Sequence, residues 1–145
     1  MVTHGQCVVR LEFTSAFDMI DLALTVGDHV AREIGFDEES IHWIGVAVRE
    51  SIINAIKHGN RHYATKHVFV EFETELREDG RGLMTSVRDE GEGFDPEALD
   101  DPLAPENLLK SNGRGIFLIR SFMDDVRLRR LPEGGMEIRM IKRIR

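Results

Sequence analysis

The sequence predicts an α+β domain, and three observations carry that prediction. Apolar and polar residues alternate over 7–13 and 67–76, as in strands with one face toward a core. Apolar residues recur at helical spacing over 41–56: Ile41, Ile44, Val48, Ile52, Ala55 and Ile56. Gly-containing turns at 78–82 and 132–135 join strand-like runs into hairpins. Strands gathered in hairpins, with helices between them, read as α+β.

At 145 residues the chain suits a single domain over 1–145, with one full core. Hydrophobic residues make up 41% and charged residues 31%, ordinary values for a globular protein. A net charge of −7 argues against general nucleic-acid affinity, which needs a basic face. No apolar run approaches the roughly 20 residues of a membrane span, and residues 1–10 lack an apolar signal core. A single cysteine, Cys7, excludes an internal disulfide and fits a reducing cytoplasm. Cys7 itself reads as a small apolar strand residue, because no catalytic signature surrounds it.

In chain order, the strand at 7–13 is followed by Thr14 and Ser15, N-cap candidates for a helix reaching Ile34. Phe17, Ile20, Leu24 and Val30 supply part of its apolar face, and Gly35 ends it. Asp37 caps a second helix, at whose end Gly59 is expected as a left-handed cap. The hairpin of 67–76 and 83–88 runs into Asp89-Glu90-Gly91-Glu92-Gly93. The acidic, Pro-containing stretch 95–112 is long for a connection in a compact domain, as binding loops and lids are. A third helix opens at Gly113-Arg114-Gly115, and a basic hairpin closes the chain. Without interleaved aromatics, that hairpin reads as a solvated face.

Three stretches carry chemistry. On the second helix Glu50 and Asn54 are one turn apart, with Lys57 and His58 beyond them on the polar side. An amide oxygen can ligate Mg²⁺, and a carboxylate one turn away can accept the proton of an attacking hydroxyl. Asp89, at a strand end beside Gly91 and Gly93, can accept a hydrogen bond from adenine N6, while glycines admit a flat ring. Gly113 and Gly115 at a helix start free backbone N–H groups for an anion. Each has a plain alternative: a polar helix face, an acidic turn, a glycine pair. Lys57 reads first as a solvated charge, and Arg114 sits between the phosphate-binding glycines. His58 and His62 have zinc-like spacing, but Gly59 is expected to break the helix between them and a tetrahedral site needs further ligands at suitable spacing. The order of the three stretches, with a long loop between the last two, fits the metal, base and phosphates of one nucleotide.

These motifs resemble the GHKL (Bergerat-fold) ATPases, specifically the anti-sigma-factor serine kinases of sporulation and stress responses. Glu50, Asn54, His58 and Gly59 match the N-box. Asp89, Gly91 and Gly93 match the first glycine box, and Gly113 to Ile119 match the second. Leu11-Glu12-Phe13 and Phe122 to Val126 match as well, so the resemblance covers nearly the whole chain. It implies a two-layer sandwich, a mixed and mainly antiparallel sheet with helices on one face, and a lid after Gly93. It further implies Glu50 as general base and Asn54 as Mg²⁺ ligand. Asp89 would read the adenine of ATP, with Gly91 and Gly93 lining the base. Asn112, Gly113, Arg114 and Gly115 would meet the phosphates, with Lys57 and His58 completing the nucleotide set. Such proteins commonly form homodimers, bind a sigma factor and phosphorylate a STAS-domain anti-anti-sigma protein. One departure falls at Leu24, where sporulation members carry an arginine that helps engage the antagonist. The alternative function is a non-catalytic, nucleotide-gated module that sequesters a regulator. A histidine-kinase catalytic domain is disfavoured, since the chain has no room for a helix pair bearing an acceptor histidine.

Overall fold

The computed structural model describes residues 8–61, 63–78, 80–91 and 111–144, with 111–114 described by backbone alone. The elements are β1 (Val8–Thr14), α1 (Ile20–Ile34), α2 (Glu38–Asn54), β2 (His67–Arg77), β3 (Gly80–Arg88), α3 (Ser111–Phe122), β4 (Asp125–Arg130) and β5 (Met136–Arg143). The α+β prediction holds. The five strands form one sheet in the order β1-β2-β3-β5-β4, and every pairing is antiparallel. Cys7, His62 and the 95–110 loop lie outside the described residues.

Alternation along the strands sends one row of side chains toward the helices. Val68, Val70 and Phe72 on β2, Leu83 and Val87 on β3, and Ile138 and Met140 on β5 share a buried cluster with α1, α2 and Ile119 of α3. The pairs Val70–Val87 and Val87–Ile138 lock these rows across adjacent strands. The opposite face carries charge pairs such as Arg10–Glu71 at 2.8 Å and Arg143–Glu75 at 3.6 Å. One face is therefore dry and the other wet, as the alternation requires.

Both helix signals flanking Phe36 hold. Gly35 takes φ 115° and its N–H returns to Ala31 and Arg32, while the Asp37 carboxylate accepts from Ser40 N–H at 2.7 Å. The start of α1 differs from the reading. Thr14 still belongs to β1, and Phe17–Met19 form a 3-10 turn before the helix. Ser15 does not cap because its hydroxyl is engaged elsewhere, donating to Lys66 O and accepting from Asn60 Nδ2. Phe17 consequently stands 46% exposed instead of joining the core. The β2–β3 turn is also tighter than read, since Arg77 pairs directly with Gly80. The third helix begins at Ser111, one short step before the glycines that were expected to open it.

Candidate functional site

The end of α2 is the spine of the site. Ile41, Ile44, Val48 and Ile52 anchor one side of the helix in the core, with Ala47 and Ser51 buried beside them. That anchoring turns Glu50 and Asn54 to the other side, both half-buried, while Lys57 and His58 are exposed. Among the described residues no hydrogen bond or ion pair ties down the Glu50 or Asn54 side chain.

Gly59 does not act as a left-handed cap. The helix runs on through a π-helical turn, Ala55–Gly59, closed by Asn60 N–H donating to Ala55 O at 2.7 Å. Positive φ comes two residues later, at Arg61 with φ 51°. Gly59 serves space instead: a Cβ there would collide with the Asp89 carboxylate, and one at Gly91 would collide with the Gly59 carbonyl. Asp89 continues the core-facing row of Leu83, Thr85 and Val87, so it points at the helix layer and meets α2 at that gap.

Asp89 is only 6% exposed. Its Oδ1 accepts from Gly91 N–H at 2.9 Å and Met136 N–H at 3.2 Å. Burial pushes its carboxyl above the ordinary carboxylate range, and the two backbone donors together with the charge of Lys66 only partly offset this. Such a group favours a ligand that offers it a hydrogen-bond donor.

The start of α3 reaches the other end of the spine. A Cβ at Gly115 would lie 2.9 Å from Asn54 Nδ2 and 3.4 Å from Glu50 Oε2. The contact is close, and it sets the first turn of α3 beside the Glu50–Asn54 pair. Further along, the Phe122 ring stacks on Trp43 at 4.2 Å, which pins the two helices together. Gly113 lies in the first turn of α3, whereas the side chains of Asn112 and Arg114, and all of Gly93, fall outside the described residues.

The sequence reading missed two contributors. Asn60 is fully buried and bonds three other chain segments. Gly135 packs so closely on Asp89 that a Cβ would strike the Asp89 carbonyl. Neither has a local signal, since their partners are remote in sequence.

Residues 13–142 match the histidine kinase-like ATPase domain model. The chain belongs to this family. Within it, the chain is similar to named serine kinases. The serine-protein kinase RsbW of Oceanobacillus iheyensis is 35% identical over 121 residues, 79% of this chain and 73% of that one. RsbW of Listeria innocua is 31% identical over 142 residues, 94% of this chain and 87% of that one. The solved structure of the RsbU and RsbW domains of Rv1364c from Mycobacterium tuberculosis shares the fold, with a TM-score of 0.62 at 20% identity. That match covers 94% of this chain and 32% of the longer protein. Among the described residues, no helix of this ATPase domain is long and apolar enough to cross a membrane.

Proposed function

We propose that this protein serine kinase is an anti-sigma factor that binds a sigma factor and phosphorylates a serine of a STAS-domain anti-anti-sigma protein. One observation carries the reading. Residues 50–59 are touched at both ends by glycine segments remote in sequence, Gly91 at Gly59 and Gly115 at Asn54 and Glu50. This arrangement supports a base-reading corner and a phosphate end along one helix, spaced for a single nucleotide.

In this reading Asp89 accepts the hydrogen bond of adenine N6, and Gly91, with Gly93, leaves room for the ring. Backbone N–H groups at the start of α3, from Asn112 to Gly115, meet the phosphates with the positive end of the helix dipole behind them. In the same reading Arg114 contributes at the phosphates, and Lys57 and His58, exposed beside Gly59, complete the nucleotide set. Asn54 offers its amide oxygen to Mg²⁺, a cation that commonly shares few protein ligands with substrate phosphates. When bound there, Mg²⁺ would supply neutralisation of phosphate charge. Glu50 accepts the serine hydroxyl proton as that oxygen bonds to the γ-phosphorus and the bond to ADP breaks.

Leu24, the position where an arginine is expected, is half-buried and packed against the core, so engagement of the antagonist must rest on other residues. The edge position of β1 in the sheet supports a homodimer, since an unpaired edge invites a second chain. A cytoplasmic location follows from the proposed partners. The test incubates the protein with γ-labelled ATP, Mg²⁺ and host extract, with Glu50→Gln in parallel. A small labelled protein seen only with the wild type supports the reading. Stable partner binding with no label transferred would instead favour the nucleotide-gated binding module.

A further inference from the structure

We infer that Asn60 is a positioning residue for base selectivity, its buried amide holding the Asp89–Gly91 segment against the end of α2. The inference rests on the assignment of Asp89 to adenine made above. Asn60 is 0% exposed, and its amide is saturated by three other segments of the chain. Nδ2 donates to Ser15 Oγ at 2.8 Å, just after β1, and to His67 O at 2.9 Å, where β2 begins. Oδ1 accepts from Glu90 N–H at 2.8 Å, the residue next to Asp89. The Glu90 carboxylate in turn accepts from His67 N–H at 2.6 Å, which closes the junction.

The consequence lies one residue away on each side. Asn60 follows Gly59, whose backbone abuts the Asp89 carboxylate and Gly91. Glu90 separates Asp89 from Gly91. The Asn60–Glu90 bond therefore fixes the two backbones between which the Asp89 carboxylate is wedged. Only a carboxamide satisfies this junction, because it presents two hydrogens and one oxygen acceptor at once. An aspartate there would set a carboxylate against the His67 carbonyl, and an alanine would leave three part-buried groups without this partner. Fixing the carboxylate direction matters because a hydrogen bond weakens steeply as its angle departs from linear. Asn60 touches no substrate in this account, so it acts on the base only through Asp89.

The test measures dissociation constants for ATP and for inosine triphosphate, which carries a carbonyl where adenine carries its amine. The wild type should prefer ATP roughly tenfold or more, as the loss of one charge-assisted hydrogen bond implies. Asn60→Ala should bring that ratio to within about threefold of unity. Val30→Ala, in the core contact of α1 away from the site, should lower the melting temperature and leave the ratio as in the wild type. That contrast separates positioning from general loosening. Should Asn60→Ala fail to fold, Ser15→Ala removes one acceptor of the amide without removing the amide, and the ratio should fall partway. A wild-type ratio retained in folded Asn60→Ala, or in Ser15→Ala if that variant alone folds, overturns the inference. A wild type with no preference for ATP overturns the Asp89 assignment itself, and this inference with it.

Discussion

The two ends of the site are built on opposite principles. At the Asp89 corner the polar groups are tied down: Asp89 Oδ1 takes two backbone donors, Asn60 takes three partners, and glycine backbone fills the space between. At the Glu50–Asn54 end the side chains are half-buried, and among the described residues no hydrogen bond restrains them. In the proposed reading a planar base needs a fixed acceptor, and a buried network in a low-dielectric setting would provide one. In the same reading phosphoryl transfer needs groups that change partners during the reaction, and a helix face beside glycine backbone would let them do so. The first end is held by a buried network; at the second no such network lies among the described residues.

Four substitutions sharpen or break that contrast, taken from the largest effect to the smallest. Glu50→Gln should cut phosphoryl transfer roughly a hundred- to ten-thousand-fold, with ATP affinity and melting temperature almost unchanged. Radiolabel transfer and calorimetry check it; a comparable loss of stability would mean that Glu50 is structural. Gly59→Ala should act in the reverse sense, destabilising the fold by about 3 kcal/mol because the new methyl meets the Asp89 carboxylate in a packed corner. Urea unfolding measures that change.

Asp89→Asn should weaken ATP binding by about 1–2 kcal/mol while sparing the unliganded fold. The sign of its pH dependence follows from the raised carboxyl. Between the ordinary carboxylate value and the raised one, the folded protein keeps a proton that the unfolded chain has lost. The Asp89 contribution to stability therefore falls as pH rises through that window, and Asp89→Asn should remove this fall from the stability–pH curve. Smallest is Gly115→Ala. Its Cβ would press only on the end of the Asn54 side chain, which can yield, and alanine favours α3 by about 1 kcal/mol. Unchanged or higher stability is expected, with Mg²⁺-dependent nucleotide binding weakened about fivefold, a shift of about 1 kcal/mol. A glycine substitution that unfolds one end and is tolerated at the other would establish the contrast; equal damage at both would erase it.

Much of this was legible in the sequence because its causes are local. Alternation placed β2, helical spacing placed the buried side of α2, and Asp37 and Gly35 marked helix ends through their own backbone chemistry. The readings that failed did so where a remote partner outbid the local preference. Ser15 looked like a cap but bonds Lys66 and Asn60, and Gly59 looked like a left-handed stop but makes room for Asp89.

By itself, then, the sequence determined the alternation of β2, the buried side of α2 and the helix ends at Gly35 and Asp37, because periodicity and capping are properties of neighbours along the chain. Only the tertiary structure decided how they converge. Antiparallel register carries Asp89 to the end of α2, a π-helical turn swings Asn60 into the junction, and the backbone of Gly115 lies against Asn54. Those contacts depend on the absence of a side chain at one point meeting the presence of one far away, which no window of sequence contains.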